Sequence, residues 1–150
     1  MADDKLILET YLPFRLERLA NFMSQEFATV HKERFGMTQP EWRILAALGE
    51  HGAMTATQAG AHTAMHKTKV SRAVAELEQR RWLSRTTVEK DRRIELLELT
   101  ASGMETHRAM VPLATEFETR LFTRLDDAER EILLSAIDRL EHRLTGKLDL

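Results

Sequence analysis

The chain contains no cysteine in its 150 residues. That excludes disulfide staples, thiol-based peroxide sensing, a cysteine nucleophile and the soft thiolate ligands of many metal sites. Of its six histidines (31, 51, 62, 66, 107, 142), only His62 and His66 have helix-face spacing, and they straddle a predicted turn, so no metal ion is expected. A nucleotide-binding glycine loop and an interpretable serine, histidine and acid set are also missing, which argues against an enzyme and against a cofactor. Proline is confined to positions 13, 40 and 112, and neither a low-complexity linker nor an internal repeat is present. Nothing approaches the run of about 18 apolar residues that crosses a bilayer. Met1-Ala2-Asp3-Asp4-Lys5 lacks the basic start and apolar core of a secretory signal, so a cytoplasmic protein without a membrane partner is expected.

What is present is a core-forming, strongly charged chain, 43% hydrophobic and 31% charged, which reads as soluble and globular. The formal net charge of −2 conceals an uneven distribution. Between His66 and Arg93 there are nine lysines or arginines (67, 69, 72, 80, 81, 85, 90, 92, 93) against four acids, a balance of +5 that leaves −7 elsewhere. A cationic face on an acidic body is the footprint of phosphate contacts, although charge alone is equally consistent with a solvated helix face.

Residues 5–35 repeat apolar side chains at Leu8, Leu12, Leu16, Leu19, Met23, Phe27 and Val30. The spacing predicts a long amphipathic helix, interrupted near Pro13 and ending at Phe35-Gly36. Thr38-Gln39-Pro40-Glu41 has the form of a capping box opening a second helix, striped by Trp42, Ile44, Leu45 and Leu48. Thr55 or Thr57 caps a short third helix to about His62. After a turn at residues 63–65, a fourth runs from Lys67 to Arg81 with Val70, Val74, Leu77 and Trp82 inward. Two short helices joined by a tight turn make a helix-turn-helix. The period then changes: Ser84–Val88 and Ile94–Leu99 read as strands around five charged residues, 89–93, which predict a long exposed hairpin loop. Thr100 caps a helix to about Leu125 that bends at Pro112. Asp126 opens a last helix, striped by Ile132, Leu133, Ala136, Ile137, Leu140, Leu144 and Leu148. Flanking helices this long need a second surface for their stripes, which the same helices of another copy can supply.

Trp42-Arg43-Ile44-Leu45, Lys67-Thr68-Lys69-Val70-Ser71-Arg72, Leu77-Glu78 and Asp91-Arg92-Arg93 closing on Leu99-Thr100 together resemble the multiple antibiotic resistance regulator (MarR) family. The likeness covers residues 38–103 through motifs and the flanks through length and pattern. It implies a mainly α fold: a winged helix-turn-helix lobe (37–100) with a β-hairpin wing, between long N- and C-terminal dimerisation helices (1–36 and 101–150), in a single domain. It implies a homodimer on double-stranded DNA, with the fourth helix in the major groove and the wing at a neighbouring minor groove. Carried onto this chain, Lys67, Thr68, Lys69, Ser71 and Arg72 form the reading face, with Ser71 and Arg72 bracing the wing and Thr68 capping the helix as the structural alternative. Arg93 stands where the family places its minor-groove arginine, Asp91 is the acid that braces the wing, and Lys90 and Arg92 contact phosphate. This chain departs from the pattern at Ala59-Gly60, where leucine-alanine is common, and at Ala64, where a turn glycine is usual.

The resemblance also implies a small-molecule effector, commonly an aromatic acid or related thioester, bound where the dimerisation helices meet the lobe. Candidate residues are Tyr11, Arg15, His31, Trp42, Arg43, Met110, Pro112 and Leu113, since an arginine beside aromatic groups can hold a carboxylate bidentately. Taken singly, each is better explained as dimer or lobe core or as solvated surface, while some pocket is still expected from the resemblance. The function expected is that of a repressor released from an inverted-repeat operator by this ligand. An effector-independent, architectural DNA-binding protein stays open as the alternative.

Overall fold

The computed structural model describes residues 5–146. A single 3-10 turn, Leu8–Thr10, precedes helix α1, Leu12–His31. Pro13 does not interrupt this helix as expected; it lies in its first turn, where its missing N–H costs no intrahelical bond. The α1 stripe divides in two. Phe27 and Val30 are buried in the core, whereas Leu12, Leu16 and Leu19 on the N-terminal half remain exposed.

Helix α2, Gln39–His51, opens on the expected capping box, with the Thr38 hydroxyl accepting from the Glu41 N–H and the Thr38 N–H donating to Glu41 Oε2 at 3.1 Å. Ile44, Leu45 and Leu48 form the centre of the core. Helix α3, Ala56–Thr63, is capped by Thr55 rather than Thr57, because Gln58 stands at the third helical position and completes a second capping box. Gly60 is a point of close helix approach: a methyl there would meet the Met65 carbonyl at 3.3 Å and Val70 at 3.4 Å. Ala64, at the position where a glycine is usual, keeps the left-handed turn with φ 52° and ψ 41°. The turn geometry survives at a backbone cost of about 1–2 kcal/mol.

Helix α4, Lys67–Gln79, buries Val70, Ala73, Val74 and Leu77 against α2 and α3. Strands β1, Leu83–Val88, and β2, Asp91–Leu99, form the antiparallel wing. The five-residue loop expected at 89–93 is replaced by a two-residue turn, Glu89-Lys90, and Asp91, Arg92 and Arg93 lie within β2. Val88 pairs with Asp91 but Thr87 with Glu95, so 92–94 bulge from the ladder. The bulge restores the strand twist that a glycine-free turn cannot supply. At the wing's base, Met54 and Leu97 exchange backbone hydrogen bonds of 3.1 and 2.7 Å, tying the α2–α3 link to β2.

Helix α5, Ala101–Phe122, is capped by Thr100 and runs unbroken through Pro112, ending three residues earlier than expected. Helix α6, Asp127–Thr145, opens on the Asp126–Glu129 capping box. Its stripe is uncovered, with Ile132, Ile137, Leu140 and Leu144 all exposed, and Leu148 lies outside the described residues. No described helix is long and apolar enough to cross a membrane.

Candidate nucleic-acid interface and apolar cavity

The buried side of α4 faces the core, so its remaining side chains point outward. Lys67, Thr68, Lys69, Ser71 and Arg72 are all exposed. Thr68 does not cap the helix, since the cap position belongs to His66. Ser71 and Arg72 make no side-chain bond to the wing among the described residues. The five therefore form one free, cationic and hydroxyl-bearing face.

On the wing, Lys90, Asp91, Arg92 and Arg93 are exposed as well. The Arg93 side chain is 95% exposed, and its backbone N–H donates to Asp91 Oδ1 at 3.0 Å. Asp91 thus fixes the backbone that presents Arg93, while the ion pair between them is loose at 3.9 Å.

Not every cation of the basic segment belongs to this surface. Arg85 donates to Glu78 at 2.7 Å and to Glu95 at 2.8 Å, joining α4 to both strands of the wing. Its hydrogen bonds to Glu95 and then Glu78 raise its pKa above the ordinary arginine value. Arg80 is engaged in the same way by carbonyls and acids. By contrast, Lys67, Lys69, Arg72, Lys90 and Arg92 form no ion pair among the described residues, leaving their charge available to an outside anion.

The effector candidates do not converge. Tyr11 and Arg15 are exposed on the N-terminal part of the chain, Arg43 is half-buried on α2, Met110 is core, Pro112 is exposed and Leu113 packs against the core. A cavity of about 190 Å³ does lie between α1, α2 and α5, lined by Met23, Ser24, Phe27, Trp42, Ala114 and Phe117. Trp42 is the one candidate in that wall. His31, buried behind it, stacks on Trp42 with ring centroids 6.3 Å apart. Phe27 meets Trp42 edge-on at 5.0 Å and Phe117 at 5.1 Å. The lining carries no charge, and the Ser24 hydroxyl within it accepts from Gln39 Nε2. Phe27, expected only as part of the α1 stripe, and Phe117 were not among the effector candidates, because only tertiary packing brings their helices together. No three metal-ligating side chains meet among the described residues.

A helix-turn-helix with its second helix free, followed by a cationic hairpin, is the reading lobe of a winged-helix DNA-binding protein. Residues 35–94 match the MarR family. Among solved structures, a probable transcriptional regulator from Pseudomonas aeruginosa is 27% identical, with 89% of this chain and 99% of that chain covered and a TM-score of 0.79. A MarR family transcriptional regulator from Silicibacter pomeroyi DSS-3 is 28% identical, over 91% of this chain and 99% of that one, with a TM-score of 0.74. BpsR from Bordetella bronchiseptica, whose DNA binding is regulated by 6-hydroxynicotinic acid, is 23% identical over 91% and 97% of the two chains, with a TM-score of 0.80. No curated protein matches the sequence. The lobe at residues 35–94 is thus similar to the MarR family, and most of the chain shares the winged helix-turn-helix fold of solved MarR family transcriptional regulators.

Proposed function

We propose that this protein is a homodimeric repressor that reads an inverted-repeat operator in the cytoplasm and is released from it by a small aromatic ligand. The observation that carries the reading is the sorting of the basic segment. Arg80 and Arg85 are paired with acids of the lobe itself, while Lys67, Lys69, Arg72, Lys90, Arg92 and Arg93 are presented outward around Thr68 and Ser71. Charged groups held in this way serve an external polyanion, and arginine at an exposed hairpin suits a narrow minor groove. In this reading residues 37–100 are the DNA-binding lobe, and 1–36 with 101–150 form the dimerisation helices of a single domain. The uncovered stripes of α1 and α6 support the dimer, since exposed apolar patches of this extent mark an association surface. The function is regulatory, not enzymatic.

The cavity between α1, α2 and α5 is the effector site in this reading. Phe27, Trp42 and Phe117 offer ring faces and edges to a planar ligand, and the Ser24–Gln39 pair offers one polar contact. The Bordetella likeness supports an aromatic acid, whose carboxylate must then lie toward the cavity mouth, away from the apolar wall. Titration calorimetry with aromatic acids and their thioesters, alongside anisotropy of a labelled operator, tests both halves. Heat of binding with release of DNA is expected. DNA binding that no ligand perturbs would leave the architectural alternative.

A further inference from the structure

Arg80 caps the C-terminal end of α4, and each of its three guanidinium nitrogens has a partner. Nη1 donates to the Phe35 carbonyl at 2.9 Å and Nη2 to the Gly36 carbonyl. Nη2 also lies 3.8 Å from Glu41 Oε2, the carboxylate that caps α2, and Nε is 3.5 Å from Glu76. The guanidinium carbon stands 5.1 Å over the Trp82 ring, at the entry to β1. One planar fork therefore spans the end of the DNA-reading helix, the α1–α2 connector (32–38), the first turn of α2 and the root of the wing.

The same connector is held from the cavity side. His31 is 4% exposed, and its Nδ1–H donates to the Met37 carbonyl at 2.6 Å. A carbonyl only accepts, so Nδ1 carries the proton. The His31 ring centroid lies 5.8 Å from that of Phe27 and 6.3 Å from that of Trp42, two residues of the cavity wall. His31 thereby links those two rings, through Met37, to the segment whose carbonyls Arg80 grips.

We propose that Arg80 is a positioning residue that couples the aromatic cavity to the DNA-reading lobe, by clamping the connector that His31 holds from the other side. The fork matters more than the charge: an ammonium is a point donor and cannot grip two carbonyls in one plane while stacking on an indole. The proposal rests on the cavity being the effector site and on α4 reading DNA. It removes Arg80 from the set of phosphate contacts.

The test is a double-mutant cycle read as affinity for a duplex that the parent protein selects from a random-sequence pool. Ala114→Leu puts a permanent occupant into the cavity and needs no ligand, so the result does not depend on which small molecule the cavity takes. In the parent, Ala114→Leu is expected to change affinity by about fivefold or more, the lower range of allosteric coupling. In an Arg80→Met background the change falls within about twofold, the scatter of independent sites. Arg80→Lys follows Arg80→Met. His31→Phe keeps the aromatic packing, loses the bond to Met37 and abolishes the coupling from the other end, which keeps the test open should Arg80→Met not fold. The slope of log affinity against log salt is unchanged in Arg80→Met. Three outcomes overturn the proposal: an equal effect of Ala114→Leu in all backgrounds, no effect of Ala114→Leu in the parent, or a salt slope lowered by about one in Arg80→Met, the mark of a lost phosphate contact.

Discussion

Replacing Gly103 with alanine reverses the sign that helix propensity alone dictates. An alanine in a helix is about 1 kcal/mol better than glycine. At Gly103, in the first turn of α5, the added methyl would lie 2.0 Å from the Trp82 carbonyl oxygen, 2.9 Å from its carbonyl carbon and 3.2 Å from its Cα. These are backbone atoms with no rotamer to yield, so α5 must move off the chain entering the wing. That oxygen already accepts from the Thr100 N–H at 3.0 Å, and the Thr100 hydroxyl caps Gly103 N at 3.1 Å while donating to Arg81 O at 2.7 Å. Overpacking costs about 1–3 kcal/mol and a lost cap about 1 kcal/mol. Set against the propensity gain, Gly103→Ala is expected to destabilise by roughly 1–3 kcal/mol. Urea unfolding at fixed protein concentration reads the change, with the exposed neighbour Ser102→Ala as a control expected within about 0.5 kcal/mol of the parent. A Gly103→Ala protein as stable as the parent, or more so, would refute the argument that the α5 turn is keyed to the Trp82 backbone.

Ala64→Gly is expected to stabilise the protein by about 0.5–1.5 kcal/mol in the same assay, because the left-handed φ of 52° ceases to cost anything. Arg93→Ala is expected to weaken DNA binding and lower the salt slope by about one with no change in unfolding midpoint, since the side chain is solvated and loosely paired. Arg85→Ala should do the opposite, keeping the slope and losing up to about 1 kcal/mol of stability with its two exposed ion pairs. Leu140→Glu, in the uncovered stripe of α6, is expected to give a monomer in analytical ultracentrifugation and to lose operator binding while the lobe stays folded.

The helices were legible in the sequence wherever a local chemical rule decides the matter. Thr38–Glu41 and Asp126–Glu129 are reciprocal caps within four residues, and the structure places both as expected. The choice between Thr55 and Thr57 needed the glutamine at position 58, also a local signal. The wing misled because five consecutive charges read as a loop. A two-stranded ribbon has no buried face at its tip, so polarity there does not distinguish strand from loop, and the bulge at 92–94 lets the chain turn without glycine. Pro13 is ambiguous for a related reason: proline starts a helix as readily as it breaks one. The outward face of α4 followed from its periodicity, since burying Val70, Val74 and Leu77 turns Lys67, Lys69 and Arg72 outward. The cavity did not, because its wall is assembled from three helices distant in sequence. Arg80 shows the limit of charge counting. It sits in the most basic segment of the chain, yet its partners are carbonyls some 45 residues earlier.

The central claim is that α4 and the wing of two copies read DNA together. Selection of bound duplexes from a random-sequence pool, followed by hydroxyl-radical footprinting of the enriched sequence, tests it most directly. Two-fold symmetric protein predicts an inverted repeat whose half-sites are centred about one helical turn apart, roughly 10–10.5 base pairs, with flanking minor-groove protection that disappears in Arg93→Ala. Enrichment of an unrepeated sequence, or a footprint that Arg93→Ala leaves intact, would contradict it.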